Sequence, residues 1–110
     1  MAFLVRTTRT ANAEIEAAYF WLREQNPVYA DKWFRELMDT IATLQEKPRR
    51  CALAPENDAL TEEIRQLIYG KSRNKYRILF TIREDVVFVL HVRHSSQALL
   101  TSEEIDEEEE

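Results

Sequence analysis

Arg77 is the residue of this sequence whose type and position are best suited to chemistry. It lies in a stretch where Tyr76, Ile78, Phe80 and Ile82 recur at every second position, the repeat of a β-strand with two different faces. The guanidinium group is a planar, permanently charged fork that binds carboxylate or phosphate. We therefore expect Arg77 on a solvent-facing or partner-facing surface of a sheet. The alternative is a structural arginine that pairs with a carboxylate across the sheet.

His94 and His91 are candidates for acid–base chemistry, because imidazole titrates close to neutral pH. If the last strand runs that far, we expect both histidines on the same face of the sheet, with His94 as the stronger candidate. A structural role is the alternative for each of them. Arg65 and Arg93 lie on neighbouring segments and would complete a cationic surface with Arg77.

No residue pattern in the sequence predicts a metal or cofactor site. Cys51 is the single cysteine, so no disulfide can form within the chain, and no metal-ligand spacing is present. The chain has neither a glycine-rich phosphate loop nor a nucleophile elbow. No apolar stretch approaches the roughly 20 residues of a membrane span, and the first residues do not resemble a signal peptide. We expect a cytoplasmic protein without a membrane partner.

Charge is distributed unevenly along the chain, whose net charge is −5. Residues 102–110 contain seven of the twenty acidic residues and no basic one; without them, 15 basic residues face 13 acidic ones, a net charge of +2. We expect residues 1–101 to form one domain and residues 102–110 to form a disordered, solubilising tail. The alternative is a tail that folds back and screens the basic strands. We expect the cations of a predicted loop, Lys71, Arg73 and Lys75, to be solvated; phosphate binding is the alternative.

Apolar spacing predicts two helices after a short strand at residues 3–7. Thr8 caps the first helix, and Asn26-Pro27 separates it from the second, which stops before Pro48. The apolar stripes share a core if the helices form an antiparallel hairpin. We expect the helix aromatics in the core or facing a protein partner, where an exposed Trp21 would be an interface anchor. The inward stripes comprise Ala11, Ile15, Ala18, Tyr19, Leu22, Ala30, Trp33, Phe34, Leu37, Ile41 and Leu44.

After an aperiodic loop at residues 49–61, the spacing changes to that of strands. Candidate strands cover residues 64–69, 76–83 and 86–92, and Glu84-Asp85 forms the turn between the last two. A strand, two helices and a three-strand antiparallel meander make an α+β fold, with the helical hairpin on one face of the sheet.

Six short motifs follow one another along the chain. They are Thr8-x-x-Ala11 with Glu14-Ile15, Gln25-Asn26-Pro27, the second-helix stripe followed by Pro48, Ile64-Arg65-Gln66-Leu67, Tyr76-Arg77-Ile78-Leu79-Phe80 and Val89-Leu90-His91-Val92-Arg93-His94. Together they resemble the RelE/ParE superfamily of type II toxin–antitoxin toxins, from about Phe3 to Gln97. The resemblance implies a microbial toxin that is neutralised by an antitoxin segment wrapping over helices and sheet.

The resemblance leaves two targets open, since some relatives cleave mRNA on the ribosome and ParE-like ones poison DNA gyrase without being nucleases. In ribonuclease relatives, the arginine matching Arg77 holds phosphate; here His94 would transfer protons, and Arg65 and Arg93 would contact phosphate or target. Those relatives also carry further basic groups and a tyrosine near the C terminus. Residues 95–101 contain no arginine, lysine or tyrosine. RNA cleavage requires a base, a clamp and an acid, and only the clamp is clearly present.

The sequence thus favours the ParE-like branch, a gyrase-inhibiting toxin of the plasmid-stabilisation type that is held by its cognate antitoxin. The alternatives are a ribosome-dependent mRNA endoribonuclease and a degenerate member that has lost toxicity. A homodimer and a toxin–antitoxin hetero-oligomer both stay open. We expect Arg77→Ala to abolish toxicity while the protein stays folded.

Overall fold

The computed structural model describes residues 2–59, 62–101 and 103–104 and has the element order that the sequence predicts. Its strands and helices are β1 (Leu4–Thr7), α1 (Arg9–Gln25), α2 (Pro27–Ala42), β2 (Arg65–Tyr69), β3 (Tyr76–Arg83) and β4 (Val86–His94). Short 3-10 turns at Thr43–Gln45, Pro48–Arg50 and Pro55–Ala59 lie between α2 and β2. The predicted α+β fold is confirmed, and β4 runs two residues farther than predicted.

Two capping side chains set the ends of the helices. The Thr8 hydroxyl accepts a hydrogen bond of 3.1 Å from a backbone N–H in the first turn of α1. Asn26 is the sole residue between the helices: its N–H donates to the Leu22 carbonyl at 2.8 Å, and its side-chain oxygen accepts from the Tyr29 N–H at 3.1 Å. Pro27 follows at the first helical position, where a missing N–H costs nothing. The chain therefore turns from α1 into α2 through one residue.

The four strands form one sheet in the order β1-β4-β3-β2. β2, β3 and β4 are the predicted antiparallel meander, and β1 pairs in parallel with β4. A β-bulge interrupts the pairing of β3 with β4, because Leu79 pairs with His91 and Phe80 with Val89, which leaves Leu90 as the extra residue. The first and last strands of the chain are therefore neighbours in the sheet.

Apolar side chains pack on both faces of the sheet. The main core lies between the helices and the sheet face that carries Tyr76, Ile78 and Phe80. On the opposite face, here called the back face, segments before β2 and after β4 build a second, smaller core. Its buried members are Ala54, Ile64, Leu79, Leu90 and Leu100. The expectation that one face of β3 lies open is wrong, because these segments cover it.

Candidate functional site

Arg77 lies on the back face but is buried rather than solvent-facing, with only 6% of the residue exposed. Its terminal nitrogens donate to both carboxylate oxygens of Glu56, which is also buried, and its Nε donates to the Gln66 side chain at 3.0 Å. The prediction of an exposed Arg77 is wrong because the segment that carries Glu56 lies over the strand. The partner carboxylate comes from the aperiodic loop and was not found by reasoning from the sequence.

Glu56 joins three parts of the chain through one carboxylate. Besides pairing with Arg77 on β3, it accepts a hydrogen bond of 3.0 Å from the Leu100 N–H. Burial raises the pKa of this carboxyl, but the hydrogen bonds from Arg77 and from the Leu100 N–H outweigh burial and hold the pKa below its usual value. Glu56 is therefore ionised at neutral pH and ties the loop, the sheet and the C-terminal segment together.

The three arginines predicted to form one cationic surface do not share a face. Arg93 pairs in register with Arg77, whereas Arg65 lies on the helix-facing side of β2. Arg65 donates to the Cys51 carbonyl at 2.6 Å, and Arg93 donates to the Ala98 carbonyl at 3.2 Å. Each side chain thus stabilises a nearby backbone segment. A contact of any of these arginines with a target or a phosphate stays a prediction.

His91 and His94 lie on opposite faces of the sheet, so the prediction that they share a face is wrong. They are an odd number of positions apart, and strand alternation then directs them to different sides. His91 is buried, and its Nδ1 lies 3.2 Å from a carboxylate oxygen of Glu14 on α1. The His94 ring stands edge-to-face against Tyr76, with ring centroids 5.1 Å apart. The structure therefore does not bring His94 and Arg77 together.

In the described ranges, no group of three or more His, Cys, Asp or Glu side chains is placed to hold a metal ion. None of the described helices is long and apolar enough to cross a membrane. Cys51 is buried in the main core, and this burial raises the pKa of its thiol. A raised pKa disfavours the thiolate, which is the reactive form.

The two helices leave a groove of about 610 Å³ on their outer surface, here called the hairpin groove. Tyr19 lines it: the hydroxyl donates to Asp31 at 2.6 Å, and the ring stands edge-to-face with Phe20 and Phe34. Phe20 and Phe34 are 50% and 41% exposed. The prediction that Phe34 belongs to the inward stripe is therefore wrong, since Trp33 beside it occupies the core position.

Residues 5–99 match one protein family, described as the ParE toxin of type II toxin-antitoxin system, parDE. The chain belongs to the ParE toxin family. A solved structure of the chromosomal ParDE TA system from P. aeruginosa has a similar fold, with a TM-score of 0.66 at 18% sequence identity. The alignment covers 84% of this chain and 96% of that one. A comparison with curated proteins finds no match.

This ParE toxin has a second concave surface, at the end where the helical turn approaches the β2–β3 loop. It consists of two cavities of about 330 and 550 Å³, and Tyr29 and Asn74 line both. The sequence predicts that Trp21 is an interface anchor if its side chain is exposed. Trp21 is 62% exposed. The cavities themselves could not be found from sequence, because residues from distant segments line them. The whole concave surface, here called the aromatic cleft, includes the rings of Trp21, Tyr29, Tyr69, Tyr76 and His94.

Proposed function

We propose that this ParE toxin inhibits DNA gyrase by binding it, without cleaving nucleic acid, and that a cognate antitoxin silences it by covering the hairpin groove. The observation that carries the proposal is the burial of Arg77 against Glu56, on the opposite face of the sheet from His94. Membership of the ParE family supplies the toxin–antitoxin context. The resemblance to ParE-like toxins supports gyrase as the proposed target, and a gyrase inhibitor would act in the cytoplasm.

A ribonuclease needs a phosphate clamp, a base and an acid around one phosphodiester. Arg77 is buried, and Nε and both terminal nitrogens donate to Gln66 and Glu56, so its guanidinium is not free to clamp a phosphate. Releasing Arg77 would leave a buried carboxylate without its cation, at a cost of about 3–5 kcal/mol. Since His94 lies across the sheet, these residues are arranged to stabilise the fold, which favours a toxin that acts by binding.

The hairpin groove has the make-up of a protein-binding surface. Phe20 and Phe34 present exposed aromatic rings, and the polar side chains of Glu16, Asp31 and Arg35 also line the groove. Aromatic anchors within a polar rim are typical of protein interfaces. An amphipathic helix of the antitoxin would fit here, because apolar side chains one turn apart can contact both rings.

Production of the chain in bacteria, with and without the antitoxin encoded beside it, tests the proposed function. We expect growth arrest that the antitoxin reverses, accompanied by DNA breaks and by intact mRNA. Codon-positioned mRNA cuts that disappear in His94→Ala would instead establish the ribonuclease. Normal growth with confirmed production of folded protein would establish a degenerate member.

Substitutions in the groove test the antitoxin surface separately. Phe20→Ala and Phe34→Ala should each weaken antitoxin binding by about 2 kcal/mol, or roughly 30-fold, if the rings are anchors. Val28→Ala is the matched control, because Val28 is 80% exposed and lies outside the groove. Antitoxin affinities that are the same in all three variants would place the antitoxin elsewhere.

A further inference from the structure

The aromatic cleft combines exposed rings with nearby cations, and the antitoxin site proposed at the hairpin groove does not account for it. Trp21 is 62% exposed and Tyr29 is 42% exposed, on the two sides of the helical turn. A contiguous exposed apolar patch with polar residues around it marks a binding surface. Behind them, Tyr76 is buried and packs edge-to-face with both Trp33 and His94, which fixes the floor of the cleft.

Positive charge borders the cleft on the side of the β2–β3 loop. Lys32 of α2 and Lys71 of the β2–β3 loop line the larger cavity. Arg73 and Lys75 are exposed in the same loop as Lys71. Within the described part of the chain, none of these four cations forms an ion pair. Glu36 is the acidic residue of the larger cavity, and it accepts a hydrogen bond of 3.3 Å from the Tyr69 hydroxyl.

Two backbone hydrogen bonds hold the loop that carries these cations beside the cleft. The Asn74 N–H donates to the Lys71 carbonyl at 3.0 Å, and the Ser95 N–H donates to the Lys75 carbonyl at 2.8 Å. At the other side of the cleft, the Ser96 N–H donates to His94 Nδ1 at 3.1 Å. In the neutral ring this leaves Nε2 as the donor nitrogen.

We propose that the aromatic cleft binds single-stranded nucleic acid, with bases stacked on Trp21 and Tyr29 and the phosphate backbone held by Lys71, Arg73 and Lys75. Aromatic rings reach the faces of bases only where the strand is unpaired, and every base offers such a face. Cations on a neighbouring loop neutralise the phosphates that connect the stacked bases. An acidic peptide would use the cations but gain little from two stacking platforms.

This cleft is separate from the hairpin groove. It is lined by the other side of the helical turn and shares none of the groove's lining residues. Nucleic-acid binding at the cleft can therefore be tested separately from antitoxin binding at the hairpin groove.

Fluorescence anisotropy with the full chain tests the proposal. The probes are labelled single strands of DNA and of RNA with one mixed sequence, and the corresponding DNA duplex. We expect saturable binding of at least one single strand and weaker binding of the duplex; the DNA and RNA arms show which sugar is preferred. Trp21→Ala should weaken binding by about five- to a hundredfold, the contribution of one stacked base. Phe34→Ala, an exposed ring in the hairpin groove, should leave the affinity unchanged.

Salt dependence tests the role of the loop. Replacing Lys71, Arg73 and Lys75 with Gln together should reduce the slope of log affinity against log salt by about 2, since each phosphate contact with a single strand contributes about 0.7. The control replaces three exposed cations outside the cleft, Arg9, Arg35 and Lys47, with Gln and should leave the slope unchanged. Circular dichroism and thermal melts establish that every variant is folded.

Three results with the oligonucleotides would overturn the proposal: no saturable binding of either single strand at low salt, a preference for the duplex, or equal losses in the loop and control variants. Binding of an acidic peptide in place of both oligonucleotides would also overturn it. Toxicity is assayed in parallel, so the two proposals can fail separately. A wild-type chain that arrests growth yet binds no oligonucleotide overturns only the cleft proposal.

Discussion

Arg77 and Glu56 place two opposite charges in the interior of a small protein, where desolvation offsets much of their attraction. All three guanidinium nitrogens of Arg77 and both carboxylate oxygens of Glu56 form hydrogen bonds. Arg77 donates to Glu56 twice and to Gln66 once, and Glu56 also accepts from the Leu100 N–H. A buried ion pair with its hydrogen bonds formed adds little net stability, but removing one member leaves the other charge buried without a partner. At the residue scale, the pair therefore fixes how the back face is covered.

Arg77→Ala is expected to lower the free energy of unfolding by about 3–5 kcal/mol, because it leaves the Glu56 carboxylate buried and unpaired. From the sequence alone we expect that this variant loses toxicity while the protein stays folded; the buried pair adds a large loss of stability to that expectation. The double variant Glu56→Ala/Arg77→Ala should recover part of the loss, since no stranded charge remains. Urea denaturation of the wild type, both single variants and the double variant measures the coupling. Strictly additive losses would show that the two residues act independently.

Glu56 should also make stability depend on acid pH. Its pKa in the folded chain is lowered, whereas an unfolded glutamate titrates near about 4.3. The stabilisation is therefore present above pH 4.3 or so, and it is lost as pH falls from there towards the folded pKa. Free energies of unfolding from neutral to acid pH should fall more steeply for the wild type than for Glu56→Gln. Parallel curves would contradict a role of this carboxylate.

Elements built from local contacts could be predicted from the sequence, and the layer on the back face could not. Asn26 ends one helix and begins the next through contacts within four residues, so spacing and residue type reveal it. Glu56 instead meets partners 21 and 44 positions away, Arg77 and Leu100. The spacing of apolar residues does not reveal contacts between positions so far apart. The alternating pattern of β3 is the same whether its second face is exposed or covered.

The β2–β3 loop depends on Gly70, the one glycine of the chain. Its φ is +107°, and a Cβ added there would lie 2.2 Å from the Asn74 carbonyl oxygen. Gly70→Ala should therefore destabilise the protein by about 1–3 kcal/mol. Ser72→Gly is the matched control, because Ser72 also has a positive φ, 55°, which glycine adopts without strain. Thermal melts in which Gly70→Ala equals the wild type would show that the loop adapts at no cost.

Across the whole molecule, the C-terminal segment belongs to the fold at least as far as Leu100. Leu100 is 6% exposed and packs in the second core. Most of the predicted tail, residues 102–110, lies outside the described residues, so its disorder stays a prediction. Of the tail, residues 103–104 are described and exposed. The Thr101 N–H lowers the pKa of Glu104, and the positive charge of Arg93 adds to this effect.

Two truncations should separate the domain from its tail. A chain that ends at Thr101 should have a free energy of unfolding within about 1 kcal/mol of that of the full chain, because exposed tail charges contribute little to stability. A chain that ends at Gln97 should have a free energy of unfolding about 2–5 kcal/mol lower, since it lacks the buried Leu100 side chain. Denaturant titrations of the three lengths measure this. Equal stability of both truncations would contradict a structural role for Leu100, and higher toxicity of the chain ending at Thr101 would indicate a screening tail.

The proposal that this ParE toxin works by binding gyrase, and not by cleaving RNA, is tested most directly by a supercoiling assay with purified gyrase and purified toxin. We expect supercoiling to decline, or cleaved DNA to accumulate, as folded toxin is added, and the cognate antitoxin to restore activity. His94→Ala should inhibit as strongly as the wild type, because no proton transfer is involved. Supercoiling that stays unchanged at a large excess of folded toxin would contradict the proposal.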